Sequence, residues 1–131
     1  MAGITELDVL LRSMRPQLMD GEFVFCTVAG PLSQYVTLAP LASFQEPEGL
    51  TLILPKARAQ AAGIAFEGSY RQITLLVHSS LEAVGLTAAF SACLNQAGIS
   101  ANVVAGYYHD HIFVQSAVAE RALAALQQLS G

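Results

Sequence analysis

The stretch over residues 100–114, SANVVAGYYHDHIFV, constrains the fold more than any other part of the chain. Two short apolar runs, Asn102–Ala105 and 112–114, are rich in β-branched and aromatic residues, and such runs around a polar break are typical of a β-hairpin. Helical patterns flank it over 84–96 and 117–129. We therefore predict a hairpin covered by helices, with a corner that a ligand can reach. That corner contains Tyr107, Tyr108, His109, Asp110 and His111.

The remaining periodicity predicts a succession of short elements. Helices are expected over 4–14, 56–62 and 81–97, and Gly63 and Gly98 supply the left-handed residue that ends two of them. Residues 32–43 are too ambiguous for an assignment. Strands are expected over 22–29, 43–45, 50–54, 64–66 and 70–78.

The order of these elements repeats along the chain. The segment EGLTLILPKARAQAA over 48–62 resembles DHIFVQSAVAERALAAL over 110–126, since each has an acid, a strand and an alanine-rich helix. Two copies of a β-α-β-β-α unit predict an α+β fold of tandem ferredoxin-like βαββαβ halves, with antiparallel sheets and helices on one face. The halves are assigned to 1–68, with a leading helix, and to 69–131. The second half lacks a strand after its last helix, so its missing edge must come from elsewhere, such as the first half.

Composition limits the partners of the chain. It is 53% hydrophobic and only 12% charged, against about 25% charged in typical globular proteins, so a second copy is expected to cover an apolar face as a homodimer. The net charge is −4, and the six Lys and Arg residues form no cluster, which argues against nucleic acid.

The sequence also favours a cytoplasmic protein that does not contact membranes. The first residues lack a basic start followed by an apolar core, and no apolar run approaches the roughly 18 to 20 residues that span a bilayer. Cys26 and Cys93 have no metal-ligand spacing, and we interpret them as small buried hydrophobic residues in a reducing compartment.

Three stretches resemble the ACT domain: 41–55, 78–100 and 101–114. The ACT pattern is a strand, a loop ending in Gly and an aliphatic residue, a helix, and then Gly-Ile before the next strand. Here these are Val77, Gly85 with Leu86, the helix, and Gly98 with Ile99. The resemblance implies two ACT-like halves that regulate by binding small ligands, usually amino acids, often at an interface between ACT units.

The second half is also similar to ACT units of the eukaryotic cytosolic arginine-sensor family. In that family an acid near the helix-start glycine and an aspartate at the hairpin corner hold the cationic end of the ligand. The resemblance places these regions at 82–87 and 106–110, and the match departs at Ala83, where the sensor has a second acid.

The residue types suggest how an amino acid would be held. Free N–H groups at a helix start attract a carboxylate, and Ser79 and Ser80 lie beside Gly85; alternatively, Ser80 only caps the helix and Gly85 only permits close packing. Glu82 and Asp110 would receive a cation; alternatively, Glu82 complements the helix dipole and Asp110 is a turn residue. The predicted ligand-binding residues are Ser79, Ser80, Glu82, Val84, Gly85, Leu86, Thr87, Gly106, Tyr107 and Asp110.

Tyr107 and Tyr108 are expected to wall the pocket, one facing in and one out, or else to pack across the strands. His109 and His111 alternate as metal ligands on one strand face would, but a third ligand is not placed by the sequence, so we predict neither a metal nor another cofactor.

No nucleophile motif or phosphate-cradling loop is recognisable. The sequence therefore predicts a non-catalytic sensor for a small molecule, with an amino acid as the expected ligand. The alternative is a module that only mediates assembly and binds no ligand. A metal-dependent enzyme that uses His109 and His111 is a more distant alternative.

Overall fold

A computed structural model describes residues 7–77 and 85–131 of the 131-residue chain. The described residues form four α-helices and seven β-strands. In chain order these are α1 (Leu7–Ser13), β1 (Pro16–Leu18), β2 (Phe23–Val28), β3 (Ala42–Glu46), β4 (Gly49–Pro55), α2 (Lys56–Ala62), β5 (Tyr70–Leu75), α3 (Leu86–Gln96), β6 (Asn102–Ala105), β7 (Asp110–Gln115) and α4 (Ala119–Ser130).

The chain divides into two compact units, and the predicted α+β class of tandem ferredoxin-like domains is confirmed. One unit, here called the discontinuous unit, combines Met1–Asp20 with Arg71–Gly131. The other, the inserted unit, is Gly21–Tyr70. The predicted domain division at residues 68 and 69 stays a prediction, and the structure adds that the leading helix packs within the discontinuous unit.

The sheet of the discontinuous unit has the strand order β1-β5-β7-β6. β1 runs antiparallel to β5, with Pro16 opposite Leu75 and Leu18 opposite Ile73. The edge strand that the second half lacks is therefore β1, from the start of the chain. An edge position suits a strand that begins with proline, because proline has no N–H to donate to a neighbouring strand.

The core of this unit forms where one face of the sheet meets the helices. Ile73 and Leu75 on β5 alternate with Gln72 and Thr74, as strand geometry requires, so only the aliphatic pair joins the helix-side core. On α3 the spacing of four residues places three side chains on one buried stripe. The buried core members are Leu10, Met14, Ile73, Leu75, Val77, Leu86, Phe90, Leu94, Ile99, Ile112, Val114, Ala119, Ala122 and Leu126.

The inserted unit has the strand order β3-β4-β2 and a smaller core. β2 and β4 are antiparallel, with Phe25 opposite Ile53, and α2 ends at Gly63, whose φ of 70° is left-handed as predicted. The buried side chains of this core are Val24, Cys26, Leu50, Leu52, Leu54 and Ala59.

Two predictions about strands were wrong. Residues 64–66 are irregular rather than a strand, because the Ile64 N–H closes the end of α2 by donating to Ala59 O at 3.0 Å, and Ile64 and Phe66 then pack against the core of the inserted unit. β5 ends at Leu75. Gly85, which was predicted to open the third helix or to lie in its first turn, is the N-cap of α3 with a φ of 101°, and the predicted helix start at Leu81 lies outside the described residues.

The undecided residues 32–43 form two single turns of 3₁₀-helix, Leu32–Gln34 and Val36–Leu38, before β3. Within the parts of the chain that the structure describes, no helix has the length and apolar character needed to cross a membrane.

Candidate functional site

The corner of the β6–β7 hairpin lies at the end of β5 that leads towards α3. The Nδ1–H of His109 donates to Val77 O at 3.2 Å, and Val77 follows β5 directly. Further along β7, His111 Nδ1 lies 3.0 Å from Thr74 Oγ1. These two contacts show that β5 and β7 run in opposite directions and that the hairpin corner adjoins the carboxyl end of β5.

The predicted residues at the helix start are only partly within the described chain. Ser79, Ser80, Glu82 and Val84 lie outside the described residues. Three others are described. Gly85 is the N-cap of α3, the Leu86 side chain is 3% exposed and belongs to the core, and Thr87 is exposed. Of these three residues, Thr87 presents a polar side chain at the surface, whereas Gly85 and Leu86 offer backbone groups.

The start of α3 combines a close contact with polar backbone groups. A Cβ atom on Gly85 would lie 3.2 Å from Leu7 Cδ2, so the glycine allows α1 to approach, in agreement with the close-packing interpretation. The Ala89 N–H donates to Gly85 O at 2.9 Å, and the N–H groups of residues 86–88 precede this first helical hydrogen bond. Such groups at a helix start carry a partial positive charge that attracts anions.

Gly106 shapes the hairpin corner. Its N–H donates to His109 O at 2.9 Å, which closes a turn with Tyr107 and Tyr108 at its two central positions. A Cβ atom on Gly106 would lie 2.8 Å from His109 O and 3.0 Å from His111 Nε2. A residue with a side chain therefore does not fit without moving the backbone, and glycine allows the two arms and the His111 ring to approach.

The two tyrosines both point to the surface. Tyr107 is 68% exposed and Tyr108 is 63% exposed, and their rings meet edge to face with centroids 5.0 Å apart. The prediction that one faces inward was wrong, because both occupy the tip of the turn rather than successive positions of a strand.

Asp110 is the first residue of β7 and is half-buried. Burial raises the pKa of its carboxyl group, and the neighbouring His111 and His109 partly offset that rise. A carboxylate that is poorly hydrated gains more from a cationic partner than one in open water does. Asp110 is thus suited to hold a cation at the corner.

A polar cluster behind the corner was not predicted. Gln72 and Thr74 are 8% and 4% exposed, and the Gln72 Nε2 donates to Thr74 Oγ1 at 3.0 Å. Gln72 Nε2 also lies 3.2 Å from His111 Nδ1. The available signal was the alternation of Gln72 and Thr74 with apolar residues in the strand predicted over 70–78.

These contacts argue against a metal ion held by His109 and His111. The Nδ1 atom of His109 contacts Val77 O and that of His111 contacts Thr74 Oγ1, so neither Nδ1 atom is available to the other's partner. No group of three His, Cys, Asp or Glu side chains within residues 7–77 and 85–131 is arranged to hold a metal ion.

The two cysteines are free thiols. Cys26 is buried in the core of the inserted unit, and Cys93 is half-buried and donates to Ala125 O at 3.3 Å. Burial raises the pKa of each thiol, which disfavours the reactive thiolate.

Comparison with protein families gives two adjoining matches. Residues 2–71 match one model of the ACT domain, and residues 67–128 match a second ACT model. Comparison with curated protein sequences gives no match.

Comparison with solved structures gives one relative of high identity and several distant ones. A Vibrio cholerae protein of unknown function, described as a possible transport protein, is 58% identical with a TM-score of 0.89, and the match covers 95% of this chain and 96% of that one. The regulatory subunit of aspartate kinase from Thermus thermophilus is 12% identical with a TM-score of 0.62, over 89% and 98% of the two chains. Aspartate kinase from Clostridium acetobutylicum is 7% identical with a TM-score of 0.72, over 90% of this chain but 34% of the kinase.

Proposed function

We propose that this chain, which belongs to the ACT-domain family, is a non-catalytic regulatory protein that reversibly binds an amino acid. The fold places the corner of the β6–β7 hairpin beside the end of β5 that leads to α3, and this observation carries the proposal. In the proposed site this acidic corner faces the N–H groups at the start of α3, and the two regions have complementary chemistry. An amino acid carries the matching ammonium and carboxylate groups.

In the proposed site Asp110 receives the ammonium or a cationic side chain. Its half-buried position favours this role, since the attraction between opposite charges grows as water is excluded. The N–H groups at the start of α3 receive the carboxylate, beside the Thr87 hydroxyl. Ser79, Ser80 and Glu82, which precede α3 in the sequence, complete the proposed site, and Gly106 and Tyr107 form its wall at the corner.

Regulation requires that the ligand favours one arrangement of the protein over another. We infer a homodimer, because the chain carries few charges and exposes large apolar side chains, among them Phe44 at 71%. Binding at the corner would then change how ACT units pack. The cytoplasm, where free amino acids are plentiful, is the compartment in which we place the protein.

The exposed apolar side chains also favour a second candidate function, a module that only mediates assembly. Leu32, Val36, Leu41 and Phe44 in the inserted unit are all exposed. Patches of this kind mark interfaces in many soluble proteins. Under this alternative the hairpin corner binds no small molecule.

A thermal-shift screen of the twenty amino acids separates the two candidates. At 100-fold over its dissociation constant, a ligand adds about 2.7 kcal/mol to stability, or several degrees in Tm. Asp110→Ala should remove the shift given by any responding amino acid, whereas Glu48→Ala at the corner of the other hairpin should retain it.

Absence of any shift in the screen would favour the assembly module. An undiminished shift in Asp110→Ala would show that the carboxylate was assigned wrongly. Light scattering on the same samples measures the oligomeric state.

A further inference from the structure

Behind the proposed site, Gln72, Thr74 and His111 form a closed triangle of polar groups. The three distances are 3.0 Å between Gln72 Nε2 and Thr74 Oγ1, 3.0 Å between Thr74 Oγ1 and His111 Nδ1, and 3.2 Å between Gln72 Nε2 and His111 Nδ1. Gln72 and Thr74 are buried and lie on the face of β5 opposite to Ile73 and Leu75. Burying polar side chains is costly unless their hydrogen bonds are satisfied, so the triangle strongly constrains how its members are oriented.

The donors and acceptors of the triangle can be assigned. The Gln72 amide nitrogen carries only donor hydrogens, so His111 Nδ1 must accept from it. The Thr74 hydroxyl accepts from the same amide, and its own hydrogen can be directed at Nδ1, whose single lone pair is then shared between the two donors. An imidazole whose Nδ1 accepts is neutral and carries its proton on Nε2.

The opposite side of the His111 ring faces the hairpin corner. A Cβ atom on Gly106 would lie 3.0 Å from His111 Nε2 and 3.3 Å from the adjacent Cδ2. The edge of the ring that carries the Nε2 proton therefore packs against the Gly106 backbone. The triangle is linked through this ring to a residue of the proposed site.

Within residues 7–77 and 85–131, few groups near His111 could balance a positive charge on its ring. From β5 it meets the uncharged Gln72 and Thr74, and on β6 its paired residue is Val104. The titratable groups that act on it are His109 and Asp110, both at the corner. Burial lowers the pKa of His111 and the nearby His109 lowers it further, whereas Asp110 acts in the opposite direction.

We propose that Gln72 and Thr74 are positioning residues that hold His111 as a neutral imidazole with its Nε2–H turned to the corner, and that protonation of His111 weakens the binding of a cationic amino acid beside Asp110. The second clause rests on the function proposed above. While His111 is neutral, the charge of Asp110 is available to a cation. Once His111 is protonated, the triangle loses its acceptor and a positive charge adjoins the carboxylate.

The first test uses the full chain with ¹⁵N-labelled histidine, without any ligand. NMR spectra at pH 7.5 should show His111 protonated on Nε2, and a titration should find its pKa below the ordinary value of about 6.5. Gln72→Met, which removes the donor to Nδ1, should raise that pKa, and Gln72→Glu, which supplies an acceptor, should raise it further. Gln96→Met, on the exposed side of α3, is the matched control and should leave it unchanged.

Observation of the Nδ1–H tautomer of His111 in the parent protein would overturn the proposal. It would also be overturned if Gln72→Met left the pKa of His111 unchanged. The spectrum of the parent decides the tautomer without any substitution. The proposal can therefore be refuted even if a variant fails to fold.

The second test measures the affinity of L-arginine by calorimetry between pH 5.5 and 7.5. We expect the affinity of the parent to fall by about tenfold as His111 is protonated, since one unit of pKa coupling is a factor of ten. In Gln72→Met the fall should occur at higher pH, which separates the effect of His111 from protonation of Asp110 itself. A fall at the same pH in both proteins would refute the switch.

L-arginine that failed to bind at any pH would refute the switch for this cationic amino acid and count against the cation-binding part of the proposed function. The positioning role of Gln72 and Thr74 would still be decided by the NMR titration.

Discussion

Two hairpins of matching design occur in the described part of the chain, and they differ in whether buried polar side chains contact them. The β3–β4 hairpin turns through Pro47 and Glu48, and the β6–β7 hairpin turns through Tyr107 and Tyr108. Each second strand leads into a helix. The corner of the first hairpin is exposed, and its Thr51 donates to Glu46 within the same hairpin.

The second hairpin differs because residues outside the hairpin form hydrogen bonds with its corner. His109 donates to Val77, and His111 contacts Thr74 and Gln72. In the inserted unit, β4 also pairs with β2, whose buried residues are Val24 and Cys26. An apolar strand suffices to support a hairpin. Gln72 and Thr74 add no apolar core, and their hydrogen bonds to each other and to His111 offset the cost of burying them.

Loss of a core ring should give the largest effect. Phe90 is fully buried in the discontinuous unit, so Phe90→Ala should lower the free energy of unfolding by about 3–5 kcal/mol. Phe44→Ala removes an exposed ring from the inserted unit and should change it by less than about 0.5 kcal/mol. Urea unfolding measures both. Equal changes in the free energy of unfolding would mean that side-chain exposure does not predict which aromatic residues stabilise this chain.

Gly106→Ala sharpens the contrast between the two corners. The added Cβ would lie 2.8 Å from His109 O, and relieving this overlap should cost about 1–3 kcal/mol. Glu48→Ala, at the exposed corner, should cost less than about 0.5 kcal/mol. Thermal unfolding followed by circular dichroism compares them, and similar losses would contradict the idea that the second corner is the more tightly constrained.

Asp110→Asn should separate binding from stability. We expect at least about a tenfold loss of affinity for any amino acid found in the screen, since truncating one partner of a charged pair is costly. Because burial raises the pKa of Asp110, its ionised form is disfavoured by folding, and stability falls as pH rises from 3.8 through that pKa.

At pH 7 the Asn variant should therefore be slightly more stable than the parent. Glu48→Gln should change neither affinity nor stability by a measurable amount. A destabilised Asp110→Asn would mean that the carboxylate supports the turn rather than a ligand.

Unfolding measured at a series of pH values, without ligand, tests how the protonation of His111 in the triangle affects stability. Since the pKa of His111 is lowered, the unfolded chain binds more protons than the folded chain below about pH 6.5. Stability should decrease as pH falls from 6.5 towards the folded pKa, and His111→Gln should reduce this slope. Phe44→Ala should retain it. An unchanged slope in His111→Gln would assign the pH dependence to other groups.

The tyrosines at the second corner should give the smallest effects on stability. Tyr107→Ala and Tyr108→Ala each remove a ring that is more than 60% exposed, so unfolding should change by less than about 0.5 kcal/mol. Affinity should fall several-fold for Tyr107→Ala if this ring walls the pocket. Calorimetry measures the affinity of both variants. An affinity of Tyr107→Ala equal to that of the parent would show that Tyr107 is only a surface residue of the turn.

Local patterns were sufficient to predict most elements. The alternation of Leu50, Leu52 and Leu54 identified a strand, and Gly63 and Gly98 marked two helix ends. The polar residues between two apolar runs identified the second hairpin and its corner. The need for an outside edge strand also followed from the sequence, because a unit ending in a helix was one strand short.

What the sequence did not predict depends on contacts between distant residues. Thr74 and His111 are 37 positions apart, and no local pattern pairs them. The left-handed φ of Gly85, which makes it the N-cap of α3, does not follow from the apolar pattern around it, and the predicted helix start at Leu81 lies outside the described residues. The strand expected over 64–66 failed because Ile64 and Phe66 reach the core from irregular chain.

The place of β1 in the discontinuous unit has a consequence for biosynthesis. During translation β1 leaves the ribosome first, but its partner β5 follows only after the whole inserted unit has been made. The inserted unit is continuous in sequence and can fold as soon as it emerges, whereas the N-terminal strand must wait unpaired. Since Phe23 and Tyr70 pair near the two ends of the inserted unit, folding of this unit would shorten the loop that the pairing of β1 with β5 must close.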